Sequence, residues 1–557
     1  MTAQMTGDHP GSTDRPGGRV FATRSVVYAR HGMVACAHPL AAGIGIDVLK
    51  QGGTAVDAAI AVNAALGFLE PVSCGVGGDL FAIVWDAKQR RLHGLNGSGR
   101  APAALTADKV APQPDGTISR HSPETWTVPG AVAAWFDLHE RFGRLPMHAL
   151  LAPAIDAARE GEPVPQVIAE AWERGALLFK DKAGFAETFL PAGRPPREGE
   201  IFRNPALAET YDAIARSGPD AFYRGPVADA MVAFSERVGG FFSKADFAEH
   251  RSDWVEPIST TYRGLTVWEL PPNGQGLAAL QMLDILETFD LGAMGRDSGD
   301  FWHVMVEAKK IAYEDRAKLY ADPGFARVPV EALLSKQYAQ ERAKLIEMGR
   351  AAQRIESGNP RLGEGDTTML AVADREGNMV ALIESNYTGF GSGYAVPGWG
   401  FGLQNRGAQF NLDRASANRL EPRKRPFHTI IPAFVSRDGR PWMAFGVMGG
   451  DMQPQGHVQV LVNIVDFGMD IQEAGDAARY YHTGSSEPSG TLMTTGGVLA
   501  LESGVPAAVR LDLLRRGHRI QDALPDRFGG YQAVARDAAG VLAGASESRK
   551  DGCALGY

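Results

Sequence analysis

The chain changes character at Arg350. Between about Gly130 and Gly349 its apolar residues recur mainly at helical spacing, for example over residues 132–142, 148–159 and 301–320. Beyond Arg350 come three pairs of short apolar runs, each pair joined by a polar, Gly-containing turn. Residues 367–373 pair with 379–385 across Asp374-Arg375-Glu376-Gly377-Asn378, 429–435 with 442–447 across Ser436-Arg437-Asp438-Gly439, and 531–536 with 541–545 across Asp537-Ala538-Ala539-Gly540. Such turns join antiparallel strands, whereas parallel strands need long crossovers. Helices followed by hairpins predict a layered α+β or sandwich architecture rather than a doubly wound sheet.

The first hundred residues add local detail. Residues 31–36 predict a strand and residues 40–51 a helix stopped by Gly52 and Gly53. Thr54 is placed to cap the next helix, residues 57–66, with Asp57 completing an approximate capping box. Residues 80–85 and 92–96 read as strands around the turn Lys88-Gln89-Arg90. The first 18 residues are polar and rich in Gly and Pro, so a disordered tail is expected over residues 1–28. No export signal is visible there, which predicts a cytoplasmic protein.

Composition excludes several roles. The 557 residues carry 56 Lys and Arg against 65 Asp and Glu, a net charge of −9, which argues against a nucleic-acid partner. The most apolar stretch, residues 55–69, is too short to span a bilayer and contains Asp57 and Asn63. Three separated cysteines, Cys36, Cys74 and Cys553, fit a reducing compartment and neither a disulfide framework nor a zinc site. The 13 histidines form no H-E-x-x-H and no close cluster in the sequence. No G-x-G-x-x-G, P-loop or G-x-S-x-G is present either, so no metal, nucleotide cofactor or ordinary serine triad is expected.

Chemistry concentrates at Asp366-Thr367-Thr368. A polar stretch, residues 355–366, broken by Gly358, Pro360, Gly363 and Gly365, predicts an exposed, mobile loop that ends where an apolar strand begins. A Thr-Thr pair alone suits any strand. A cut before Thr367, however, would give that threonine a free α-amino group with a pKa of about 7.7–8.0, able to act as base for its own hydroxyl. One residue would then supply nucleophile and base. The later run Gly449-Gly450 lets backbone N–H groups face a developing oxyanion without side-chain obstruction.

These motifs resemble a known family. Asp366-Thr367-Thr368, Asn378, Gly391-Ser392-Gly393, Lys424-Arg425-Pro426 and Gly449-Gly450 look like the small subunit of γ-glutamyltranspeptidases. Upstream, Gly52-Gly53-Thr54 through Ala61, Glu70-Pro71, Gly75-Val76-Gly77-Gly78 and Arg100-Ala101-Pro102 match as well, so the resemblance runs from about Ala29 to Tyr557. It implies an N-terminal-nucleophile hydrolase with a four-layer αββα sandwich. It implies a proenzyme cut between Asp366 and Thr367 into a large subunit, residues 29–366, and a small subunit, residues 367–557, which stay associated. By the same resemblance Thr367 is nucleophile, Gly449 and Gly450 form the oxyanion hole, Arg100 holds the substrate carboxylate, and Ser385 replaces a supporting threonine. A small amide substrate, water or an amine acceptor, and an oligomer of the heterodimer are the partners implied; no cofactor is.

Departures from the family pattern fall at the substrate positions. Tyr387 replaces an Asn, and Asn405-Arg406-Gly407-Ala408-Gln409 replaces the segment whose Asp reads the α-ammonium of a glutamyl group. His428 and Thr429 replace paired serines. Losing that Asp at Gln409 and gaining Arg406 predicts a preference for an amide bearing a carboxylate but no adjacent ammonium. The pattern is similar to a divergent branch containing cephalosporin-acylase-like proteins and oxamate amidohydrolases. Three readings stand open: hydrolysis or transfer of γ-glutamyl groups from glutathione-like amides, hydrolysis of oxamate or glutaryl amides, and a catalytically silent homologue that binds a small acid.

Overall fold

The computed structural model describes residues 22–355, 366–523 and 525–557. The three expected hairpins are present: Asp366–Ala373 with Met379–Tyr387, Ala433–Arg437 with Arg440–Met448, and Gly530–Arg536 with Leu542–Ser546. They belong to two large antiparallel sheets, each of seven strands among the described residues. Sheet I runs, in spatial order, Val27–Ala29, Leu542–Ser546, Gly530–Arg536, Arg440–Met448, Ala433–Arg437, Leu265–Glu269 and Ile258–Tyr262. Sheet II runs Cys553–Gly556, Met33–Cys36, Asp366–Ala373, Met379–Tyr387, Asp79–Asp86, Arg91–Gly97 and Asp253–Val255.

Alternation along the strands sorts side chains into layers. On the strand Asp366–Ala373, Met369, Ala371 and Ala373 meet Phe434, Ala444 and Val534 of sheet I in an apolar layer between the sheets. Leu370 and Val372 point the other way, onto the helices Pro39–Lys50 and Ala55–Leu69. On the far side, Val435, Phe445 and Ala533 of sheet I pack on the helices Gly276–Leu286, Gly299–Leu319 and Met452–Val465. The fold is thus mixed α/β, two large antiparallel sheets flanked by helices.

Several elements show their sequence cause directly. Thr54 Oγ1 accepts the Asp57 N–H and the Asp57 carboxylate accepts the Thr54 N–H, closing the expected capping box. The helix it opens is Ala55–Leu69, longer than expected and buried on every side, which is why it lacks an amphipathic stripe. Gly52 adopts φ +91°, a conformation an L side chain disfavours, and ends the preceding helix.

Three expectations need correction. The hairpin Ile258–Tyr262 and Leu265–Glu269 lies within the stretch read as mostly helical. Its signal is Arg263-Gly264, both at positive φ, between runs rich in Thr, Tyr, Val and Trp. The second late hairpin begins at Ala433 rather than Thr429, because side chains occupy the backbone groups a strand would use. Gln275 donates to the Thr429 carbonyl, and Gln453 accepts the Ile431 N–H. The tail expected over residues 1–28 lies outside the described residues up to 21, but residues 22–28 are ordered. Thr23 donates to Asp476, Ala22 is buried, and Val27 and Tyr28 extend sheet I by pairing with Gly544 and Ala543. The loop expected over residues 355–366 lies outside the described residues from 356 to 365. Among the described residues no helix is long and apolar enough to cross a membrane.

Candidate active site

Thr367 is the second residue of the strand Asp366–Ala373, and a bulge interrupts the pairing there: Asp366 faces Tyr387 and Thr368 faces Glu384. Thr367 is buried, at 2% exposure, at the end of the layer between the sheets. Its neighbour Thr368 points to the helical side and donates to Glu70 at 2.8 Å. The two threonines of the pair therefore have different environments, and only Thr367 meets the other sequence-predicted site groups.

Two side chains reach the Thr367 hydroxyl. Ser385 Oγ lies 3.3 Å from Thr367 Oγ1, and Gln453 Nε2 donates to the same oxygen at 3.3 Å. Ser385 Oγ also accepts the Tyr387 N–H at 2.8 Å and an Arg406 N–H at 3.1 Å. Arg406 is fully buried, donates to Thr429 Oγ1 at 2.6 Å, and lies 4.5 Å from the centroid of the Tyr387 ring. Gln409 donates to the Tyr387 hydroxyl. Burial lowers the Arg406 pKa to about 10, so the guanidinium remains charged at neutral pH. Ser385, Tyr387, Arg406, Gln409 and Thr429 thus form one connected network beside Thr367.

Gly449 and Gly450 follow the strand Arg440–Met448 at φ +116° and +55° and lead into the helix Met452–Val465. Gln453, in the first turn of that helix, is the residue that touches Thr367. Gln275 ties the turn down by donating to the Gly450 carbonyl at 2.9 Å. This glycine turn and a helix N-terminus, with its positive end of the helix dipole, therefore stand next to the hydroxyl.

Two predicted residues are engaged elsewhere. Arg100 donates to Asp253 at 3.1 Å and to the Arg251 carbonyl at 3.2 Å, on a separate cavity lined by His250 and Arg423. Its guanidinium is held by a carboxylate of the chain itself and does not join the Thr367 network. His428 is fully buried, and both ring nitrogens are occupied. Nε2 bonds Asp79 at 3.1 Å and Nδ1 accepts the Ile430 N–H at 3.3 Å. Burial holds its pKa well below the ordinary histidine value, so it is a neutral structural donor to Asp79 rather than a substrate-lining group.

Sequence reasoning missed Gln453, the carboxyls behind the site and one histidine cluster. Asp79 accepts N–H groups from Gly99 and Gly130 and from Gln404, while burial raises its pKa to about 6. Burial likewise raises Glu70 to about 7 and Glu384 to about 8. The signal for Gln453 was its place in the first turn of the helix that follows the Gly449-Gly450 turn. His303, Glu307 and His518, scattered in sequence, are brought together by the fold. His303 Nδ1 bonds His518 Nε2 at 2.8 Å, and Glu307 pairs with Lys310 at 2.7 Å.

Residues 41–557 match the gamma-glutamyltranspeptidase family. The chain belongs to that family. It is a hydrolase proenzyme of the gamma-glutamyltranspeptidase type, similar along nearly its whole length to other members. It is 36% identical over 531 residues to the glutathione hydrolase-like YwrD proenzyme of Bacillus subtilis (strain 168), covering 94% of this chain and 98% of that protein. It is 35% identical over 534 residues to the acylase ACY 1 proenzyme of Pseudomonas sp. (strain SE83), covering 94% and 92%. Its structure matches the crystal structure of cephalosporin acylase from Bacillus halodurans with a TM-score of 0.89 and 44% identity, covering 98% of this chain and 99% of that one.

Proposed function

We propose that this member of the gamma-glutamyltranspeptidase family cleaves itself between Asp366 and Thr367 and then hydrolyses amides through an acyl ester on Thr367. In processing, Thr367 Oγ1 attacks the Asp366 carbonyl carbon, the C–N bond breaks as the C–O bond forms, and water hydrolyses the ester. The products are an Asp366 carboxylate and a free Thr367 α-amino group. In turnover the neutral amine takes the hydroxyl proton as Oγ1 attacks the substrate carbonyl. The proton passes to the departing amine, and water then hydrolyses the acyl ester and regenerates the hydroxyl. The Gly449-Gly450 turn supplies donors to the oxyanion, and Gln453 and Ser385 fix the nucleophile. Both sheets interleave strands from either side of residue 366, so the two fragments stay joined after cleavage.

The observation that carries the substrate choice is the buried Arg406 guanidinium, 3.1 Å from Ser385 Oγ, which is itself 3.3 Å from Thr367 Oγ1. A fixed cation this near the nucleophile attracts an acyl group bearing a carboxylate and repels one bearing an ammonium. The favoured substrates are therefore carboxylate-bearing amides, of the oxamate or glutaryl kind, over γ-glutamyl compounds. The γ-glutamyl reading is supported by the family match and by similarity to several proteins named glutathione hydrolase or glutathione hydrolase-like proenzymes. Side-by-side kcat/KM values for a glutaryl anilide, oxamate and a γ-glutamyl anilide test the choice. The glutaryl or oxamate substrate is expected to lead by at least tenfold; robust γ-glutamyl turnover would overturn it.

A further inference from the structure

A cavity of about 400 Å³ opens beside the Gly449-Gly450 turn, with Asp451, the next residue, in its wall. A smaller cavity of about 200 Å³ lies against Tyr387 and shares Arg120, Glu487 and Thr491 with the larger one. Tyr387 is bonded to Ser385, and Asp451 stands two residues from Gln453, so both cavities are tied by short links to side chains that touch Thr367. The larger volume lies within the range of small-molecule sites, about 300–1,000 Å³. It exceeds what a two-carbon acyl group fills.

One wall of the larger cavity holds an unusual lysine. Lys309, in the helix Gly299–Leu319, is 1% exposed. Its Nζ lies 2.7 Å from Ser485 Oγ, 3.1 Å from His482 Nδ1 and 4.0 Å from the centroid of the Tyr313 ring. His482 Nε2 bonds the Gly496 carbonyl at 2.9 Å, which fixes the tautomer with a proton there and leaves Nδ1 to accept from the amine. The neighbouring Lys310 has its carboxylate, Glu307, at 2.7 Å. Lys309 has a hydroxyl, an imidazole and a ring instead, and among the described residues no carboxylate pairs with it. Burial and the Arg316 charge hold the Lys309 amine well below the ordinary lysine value, while Asp451 and Glu314 pull the other way, so an anion arriving from the cavity would supply the partner that its charged form lacks.

We propose that Lys309 and Ser485 form a subsite for a carboxylate at the far end of the acyl group, so that the preferred substrates are amides of ω-carboxy acids longer than two carbons. This rests on the amidohydrolase reading above. The acidic groups in the same wall do not oppose it. Asp451 lies 3.5 Å from the Arg316 guanidinium. Burial and the neighbouring Asp451 push the Glu487 carboxyl well above the ordinary range, which weakens its repulsion of an anion. Arg120 adds positive potential from the shared rim.

The test is calorimetric titration of glutarate into the full-length protein and into Lys309→Met and Ser485→Ala variants, alongside turnover of a glutaryl anilide by the unaltered protein. Saturable glutarate binding is expected, weakened at least tenfold by Lys309→Met and severalfold by Ser485→Ala. Melting curves check the fold, and the milder serine variant carries the comparison if the lysine variant does not fold. Glutarate that fails to bind the unaltered protein, or that binds the folded variants equally well, overturns the subsite. The two readings fail separately. Anilide turnover with variant-independent glutarate binding sinks the subsite alone, whereas Lys309-dependent binding without any amide turnover sinks the Thr367 reading and leaves the subsite standing.

Discussion

Glu384 makes a stability prediction whose sign is opposite to that of most carboxylates. It sits on the strand Met379–Tyr387, one residue before Ser385, and is fully buried. Its Oε1 accepts the Gly75 N–H at 2.7 Å and its Oε2 accepts Asn63 Nδ2 at 2.8 Å. Asn63 cannot turn over, because its Oδ1 accepts the Trp135 indole N–H at 2.7 Å. Burial raises the carboxyl to about 8 against the pull of these bonds, with Asp79 and Glu70 adding to the rise. An unfolded glutamate loses its proton near about pH 4.3. Between that value and about 8 the native state therefore binds more protons than the unfolded one. Stability falls as pH rises through this window and levels off above it. From pH 6 to 8 the loss is two pH units at about 1.36 kcal/mol each, on the order of 3 kcal/mol. Glu384→Gln removes this titration, while Glu70 and Asp79 titrate in both proteins and largely cancel in the comparison. At pH 6 the variant should itself be less stable by about 1–3 kcal/mol, since its amide N–H₂ meets that of Asn63. Urea unfolding of both proteins at pH 6, 7, 8 and 9 reads the difference. The variant's deficit should shrink by on the order of 3 kcal/mol across that range, enough to close the gap or reverse its sign. Parallel pH dependence in the two proteins, or a wild type that gains stability with pH, would refute the reasoning.

Three further outcomes are expected. Ser385→Ala removes the hydroxyl beside Thr367 Oγ1 and should lower kcat on the order of 10²-fold with little change in KM, as read from steady-state kinetics. The activity of the processed enzyme should rise with pH as the Thr367 α-amine loses its proton. The Arg406 charge disfavours the ammonium, so the midpoint should lie below about 7.7, and Arg406→Met should move it upward. In Gly77→Ala the new Cβ would stand 1.9 Å from the Gly402 carbonyl oxygen, a clash with backbone that cannot relax cheaply. That change should lower the melting temperature markedly or abolish soluble expression.

Local chemistry in the sequence made the local elements legible. Capping residues, glycine stops and Gly-containing turns marked both early helices and all three late hairpins, since these signals act within a few residues. The hairpin at residues 258–269 was hidden because its flanks read as helical, and its Arg-Gly turn is a weaker signal than Asn-Gly. Thr367, Ser385, the glycine pair and the Tyr387–Arg406–Gln409–Thr429 set could be named through the family resemblance of their motifs, and the fold brings them together. Arg100 and His428 show where that reasoning stops. Their motifs fix where the backbone runs, but side-chain direction was decided by carboxylates distant in sequence, Asp253 and Asp79. The same limit hid Lys309, whose meaning depends on Ser485 and His482 arriving from another part of the chain.

Mass analysis of freshly purified protein, beside a Thr367→Ala variant, tests the central claim most directly. The account predicts two fragments, one ending at Asp366 and one beginning at Thr367, and a single uncut chain in the variant. An uncut chain in the unaltered protein under all conditions, or equal cleavage in the variant, would contradict it and leave Thr367 without the amine it needs.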